Sequence, residues 1–238
     1  MRQFSLCLAV AIGLAASDVS AVMLSIEAAD NATVQPGGPR SGGSGKAFFN
    51  VEGSANGNFA SYGVADFNYG TIPTVTAIIS ASIQLTQSNA GFTTDGPVVI
   101  SLDTSATLAD IQPGGTSPLI FDGTDPGTDQ DVADGDIALD PFSGTFNFVE
   151  GMDGDVDAYT LGLSASLEAE LLSRLNAGDT IRLVIGTGSD TVAATWAGAT
   201  NDTFDGPTLV LDVDQIPEPT TLALAALALA ALIVTRRG

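Results

Sequence analysis

The 238-residue sequence contains no histidine and one cysteine, Cys7. These two absences exclude much chemistry. No Ser-His-Asp or Cys-His nucleophile system can be assembled, and no zinc site of the common nitrogen or sulfur type. Cys7 sits inside the first apolar run, too early for a lipoprotein cleavage site, and leaves the rest of the chain without a disulfide. Basic residues are scarce as well, 7 Lys and Arg against 28 Asp and Glu, for a net charge of −21. Such a field repels nucleic acid and anionic lipid, which are excluded as partners. Divalent cations, basic proteins and neutral or cationic polysaccharides remain, as does plain solubility outside the cell with no partner at all. Aromatics make up only 6% of the chain, with 1 Trp and 3 Tyr. Among ordinary enzyme mechanisms a carboxylate pair acting on a glycosidic bond survives. Glu150, Asp153 and Asp155 could supply one, but a chain this acidic offers such pairs everywhere, and it has few rings to line a sugar cleft. The expectation is a protein that is not an enzyme.

The two ends carry most of the legible information. Arg2 precedes an apolar stretch from Phe4 to Ala16, and Val19-Ser20-Ala21 places small residues at signal-peptidase spacing. The stretch is unbroken rather than periodic, so residues 1–21 are expected to be a secretory signal peptide, with the mature chain starting near Val22. At the other end Ile216-Pro217-Glu218-Pro219-Thr220-Thr221 leads into Leu222–Val234 without a polar residue, and then Thr235-Arg236-Arg237-Gly238. Leu and Ala favour a helix, which satisfies its own backbone in lipid. At ~1.5 Å per residue the run from Thr220 to Thr235 spans about 24 Å, short of a hydrocarbon core of ~30 Å. Arg236 and Arg237 hold the cytoplasmic side. The prolines keep the preceding backbone extended, where a protease can grip it.

Residues 216–238 resemble the PEP-CTERM sorting signal: Pro217-Glu218-Pro219, a short hydrophobic helix, then a basic terminus. The resemblance covers about the last 23 residues. It implies recognition of Pro217, Glu218 and Pro219 by an exosortase, an integral membrane cysteine protease that removes the tail in Gram-negative bacteria, many of them producers of extracellular polysaccharide. The inner membrane would then be only a transient partner. A permanent single-pass anchor is the alternative, and it too places the body of the protein outside the cytoplasm, at the cell surface or in the extracellular matrix.

Residues 22–215 are read as one extracellular domain, large enough for a real core. Of the 28 acids only Asp18 and Glu218 lie outside it, and its basic residues are Arg40, Lys46, Arg174 and Arg182 alone. Period-two alternation recurs through it. The clearest run is Val75–Thr86, with others at Met23–Ala28, Ala47–Val51, Tyr62–Phe67, Val98–Leu102, Phe146–Phe148, Tyr159–Leu163, Ile181–Ile185, Val192–Trp196 and Leu209–Val213. About ten strands separated by Gly, Pro, Asn and Asp predict an all-β fold, an antiparallel β-sandwich or jelly roll. One short helix interrupts it: Ser166 caps, Leu167, Leu171, Leu172 and Leu175 form a stripe, and Asn176–Gly178 ends it. Gln35–Gly45 and Gln112–Thr116 read as glycine-rich loops, and neither carries the Lys-Ser/Thr pair of a phosphate cradle. The segment 190–213, "DTVAATWAGATNDTFDGPTLVLDV", together with Val75–Leu85, resembles the jelly-roll domains of secreted bacterial proteins, including the DNRLRE type of surface and biofilm proteins. That resemblance implies a role in carbohydrate or matrix contact.

Two constellations are candidates for binding. Asp122, Asp125, Asp129, Asp131, Asp134, Asp136 and Asp140 are followed by Asp153, Asp155 and Asp157. Calcium needs six to eight oxygens, which such spacing suits. Asp153-x-Asp155-x-Asp157 opens like an EF-hand but has Ala158 and Ser164 where that loop needs Gly and Glu. The leading expectation is a solvated acidic loop, with a looser calcium site built from Asp129, Asp131, Asp134, Asp136, Asp153, Asp155 and Asp157 kept as the alternative. For sugars, Tyr62 and Tyr69 flank a strand among Asn and Asp and are the candidate contacts. Trp196 shares a strand face with Val192 and Ala194 and is assigned to the core. The resulting expectation is an exported structural or interaction protein, with a carbohydrate-binding module, stabilised by calcium, as the alternative.

Overall fold

Alternation of apolar and polar residues becomes antiparallel strand wherever one face can be buried. The computed structural model describes residues 20–40, 44–70, 74–88, 90–114 and 137–216. In chain order these form β1 (Ser20–Gln35), β2 (Gly38–Pro39), the one-turn helix α1 (Ser44–Ala47), β3 (Phe48–Glu52), β4 (Tyr62–Phe67) and β5 (Val75–Thr86). Then come β6 (Gly96–Asp103), β7 (Leu139–Pro141), β8 (Phe146–Phe148), β9 (Val156–Leu161) and helix α2 (Ala165–Ala177). The last strands are β10 (Ile181–Thr187), β11 (Ala193–Ala197) and β12 (Thr208–Gln215). Short 3-10 turns at Ser54–Phe59 and Ala90–Phe92 interrupt the β3–β4 and β5–β6 connections.

Ten strands form one sheet in the order β7-β6-β10-β4-β1-β12-β5-β9, with β2 beside β1 and β8 beside β6, while β11 and β3 make a separate ribbon. The fold is thus mostly antiparallel β, as the alternation predicts. The sheet curls at β1. Its first half, Ser20–Glu27, pairs with β12, and from Ala28 onward it pairs with β4, the register shifting between Ala28 and Asp30. A bulge of this kind bends the strand and increases its twist. The curled sheet encloses a core that includes Leu24, Ile83, Leu85, Ile100, Leu102, Leu183 and Leu211. The β3–β11 ribbon closes it with Phe49, Val51, Ala194 and Trp196. Trp196 is fully buried as assigned, edge-on to Phe148 at 5.5 Å between ring centroids.

A second apolar layer lies on the other side of β4 and β10, where Tyr62, Val64 and Val184 are covered by Ile111 and Ile137. Beneath it Arg182 forms a two-pronged pair with Asp66, at 2.7 and 2.8 Å, and donates to the Ala109 carbonyl at 2.8 Å. The same guanidinium lies 3.8 Å from the fully buried Asp103. This charge cluster ties the 103–110 segment to the sheet.

Helix α2 begins two residues earlier than expected: Ser164, not Ser166, is the cap, its hydroxyl accepting from Leu167 N at 3.2 Å. Gly178 ends it in the left-handed conformation at φ 72°, as the glycine predicts. Leu167, Leu171 and Leu175 reach the main core. Asn176 imitates a strand neighbour, accepting from Val75 N at 2.8 Å and donating to Val75 O at 2.9 Å.

β1 and β12 are antiparallel neighbours with Ser20 opposite Gln215, and Ile216 N donates to Thr74 O at 3.0 Å. The predicted leader and the predicted tail therefore meet the sheet side by side. Ser20 and Ala21, the last two residues of the predicted leader, lie in this ladder, and the predicted start at Val22 would keep the register from the Val22–Val213 pair onward. Among the described residues no helix is long and apolar enough to cross a membrane; the predicted C-terminal helix lies outside them.

Candidate functional site

A groove of about 650 Å³ lies over the outer face of the β3–β11 ribbon. Alternation explains its floor. Phe49 and Val51 point to the core, so Phe48, Asn50 and Glu52 point outward, joined by Ala193 and Thr195 of β11. Asn50 and Thr195 are directly opposed across the ribbon, and Asn50 Nδ2 donates to Thr195 Oγ1 and to Glu52 Oε1, each at 3.2 Å. Asn50 is only 8% exposed, and its Oδ1 has no hydrogen-bond partner among the described residues. Burial pushes the Glu52 carboxyl above its usual range, opposed by the hydrogen bond from Asn50 and the charge of Arg40, which also lines the groove.

The walls are two phenyl rings. Phe59 is 61% exposed and Phe92 76% exposed, and both line the groove. Their turns are pinned from below. Asn56 Nδ2 donates to Gly53 O and Val192 O, at 3.1 and 3.3 Å, and Ala55 N donates to Asp190 O at 2.9 Å. On the other wall Thr94 and Ala193 exchange backbone hydrogen bonds at 2.7 and 3.1 Å. Large rings held in water by fixed turns are a preorganised contact surface. A second depression, of about 540 Å³, is bordered by Arg174. That guanidinium is already committed to Glu170 at 2.7 Å and to the Thr180 and Ser105 carbonyls.

The residues singled out from sequence fall elsewhere. Tyr62 is a correction: at 0% exposure, packed in the second apolar layer, its ring has no face for a sugar. Tyr69 is 41% exposed beyond the end of β4 but does not line the groove. Asp153, Asp155 and Asp157 do not converge. Asp153 is exposed in the turn before β9, and Asp155 Oδ2 accepts from Met152 N at 2.8 Å within the same turn. Asp157 is on the inward face of β9, accepting from Trp196 Nε1 at 2.7 Å and Gln87 Nε2 at 2.9 Å. Among the described residues no three acidic side chains come together to hold a metal ion. Of the other acids proposed as ligands, Asp129, Asp131, Asp134 and Asp136 lie outside the described residues. So do Pro217, Glu218, Pro219, Arg236 and Arg237. Glu150 is exposed, its backbone N–H donating to Asp95 at 2.6 Å, and it is no part of the groove.

Sequence reasoning missed the groove because its walls lie in turns, in "SANGNF" and "AGF". The available signal was a phenylalanine in each of two glycine-containing turn segments, where a large apolar side chain has no strand face to bury it.

Comparison with curated proteins finds no match to this chain. The model described as the PEP-CTERM protein-sorting motif matches residues 215–237, the stretch that begins at the last residue of β12 and holds the Pro-Glu-Pro triplet, the apolar run and both terminal arginines. The chain thus carries a PEP-CTERM sorting motif, the mark of an exported protein that is sorted by an exosortase through a membrane-associated C-terminal signal.

Proposed function

We propose that the exosortase delivers residues 22–215 to the cell surface or extracellular matrix as a non-catalytic interaction module. The groove over β3 and β11 carries this reading. It presents rings on fixed turns, yet Glu52 is the one carboxylate among the described residues lining it, where glycoside hydrolysis of the usual kind needs two. The chain also lacks histidine throughout. The acidic body suits life outside the cell and repels anionic surfaces. The two stretches that resemble DNRLRE-type jelly-roll domains supply β5, β11 and β12, and β5 and β12 are neighbours in the curled sheet. A jelly-roll wrapping of the sheet is part of this proposal.

The side-by-side placement of Ser20 and Gln215 fits delivery by two membrane segments that leave the body at one place. The test is to disable the exosortase in the producing organism. Protein should accumulate in the cell envelope with its tail attached, and its release should be restored with the enzyme. Unchanged release of tail-free protein would contradict the proposal.

A further inference from the structure

We infer that the groove between Phe59 and Phe92 binds a neutral oligosaccharide or polysaccharide strand. This rests on the reading of the domain as an interaction module and names its ligand class.

A pyranose ring has two kinds of surface, C–H faces that lie against aromatic rings and an equatorial rim of hydroxyls that hydrogen-bond. The groove offers both. Phe59 and Phe92 stand 61% and 76% exposed on pinned turns, with Phe48 at the base. An exposed phenyl costs hydration free energy that contact with an apolar face recovers. Between the rings the floor is an amide and hydroxyl surface, Asn50 and Thr195, beside the Glu52 carboxylate. Asn50 already spends its N–H groups on Glu52 and Thr195, while its buried Oδ1 has no donor among the described residues. A ligand hydroxyl reaching the floor supplies one. An apolar peptide or acyl chain would leave that oxygen unpaired and would cover the Glu52 carboxylate at a cost.

Charge narrows the class. Arg40 and Glu52 are the one cation and one anion among the described lining residues, so the groove has no net attraction for an ionic ligand. The surrounding chain, at −21, repels acidic polysaccharides. A neutral glycan meets neither obstacle.

The experiment uses the processed protein as released by the producing cell. It is titrated calorimetrically with neutral glucan and mannan oligosaccharides and with acidic polygalacturonate oligosaccharides. Saturable binding of a neutral probe is expected, weakened about tenfold by Phe59→Ala or Phe92→Ala and lost in the double variant. Thermal midpoints should not move, because both rings are exposed. Tyr69→Ala should bind as the parent does. Neutral binding that survives both phenylalanine changes would overturn the site while leaving the interaction role standing. Stronger binding of the acidic probe, or capture of a peptide that the phenylalanine variants abolish, would overturn the ligand class alone. Absence of any ligand for the groove would overturn both this inference and the reading beneath it.

Discussion

Trp196 donates its indole N–H to Asp157 at 2.7 Å, joining the inner face of β11 to the inner face of β9. Gln87 donates to the other carboxylate oxygen at 2.9 Å and accepts from Gly151 N at 2.8 Å. One acid that the sequence offered as a calcium ligand is thus an internal acceptor that lets a fully buried tryptophan satisfy its only polar atom. Asp157→Ala strands that N–H and should cost about 1–3 kcal/mol. Urea unfolding followed by the fluorescence of the single tryptophan measures it; an unchanged midpoint would refute the assignment.

The same acid gives a pH prediction. Burial raises the Asp157 pKa, the bonds from Trp196 and Gln87 lower it, and the neighbouring Asp155 charge raises it, for a net rise. A raised folded-state value means that the folded protein holds the proton more tightly. The stability this contributes is complete below the unfolded aspartate pKa and is lost as pH rises through the folded value. Asp157→Asn has no such dependence. The stability of the parent relative to Asp157→Asn should therefore be greatest in acid and decline towards neutrality, as read from denaturation midpoints across pH. A constant difference would contradict it.

Arg182 serves two carboxylates beneath the second apolar layer, Asp66 closely and Asp103 at 3.8 Å. Arg182→Met removes the cation and leaves both acids without their counter-charge, for an expected loss of about 3–5 kcal/mol. Arg182→Lys keeps the charge without the two-pronged geometry and should lose less. Chemical denaturation of both variants checks the order; equal stability of parent and Arg182→Met would remove the cluster from the account.

Close backbone approach beneath the groove gives a further prediction. A Cβ at Gly63 would lie 2.6 Å from the Phe49 ring, which is buried behind the groove floor. Gly63→Ala forces that ring to shift and should destabilise by about 1–3 kcal/mol. Gly37→Ala, at φ 98° with open space around it, meets no neighbour and should be strained only in its backbone. Comparing their melting curves with and without a second change, Phe49→Leu, isolates the clash. Rescue of Gly63→Ala by the smaller side chain is expected, and no rescue would locate the cost elsewhere.

How much of this was readable before folding depends on how many faces a segment buries. β4 and β5 have the bounds their sequences predict, Tyr62–Phe67 and Val75–Thr86. The second half of β1 was missed because its inward positions include Asn31 and Thr33, polar residues with no exposure at all. Their hydrogen-bonding groups are satisfied by distant backbone, as in Asn31 Nδ2 to Phe48 O at 3.2 Å and Ala199 N to Asn31 Oδ1 at 2.7 Å. Local pattern cannot anticipate such partners. β2 and β7 are too short to show a period. The groove demands Phe59, Phe92 and the β3–β11 register together, a juxtaposition made only by the closed fold. Tyr62 shows the converse error, since a tyrosine beside polar residues looked exposed until β10 and the 109–111 segment covered it. The sorting tail needed none of this, being a linear signal read without a fold.

Mass spectrometry of the protein released from the producing cell tests the sorting account most directly. The account predicts a chain that begins near Val22 and lacks Leu222–Gly238. Released material still carrying Leu222–Gly238 would contradict it.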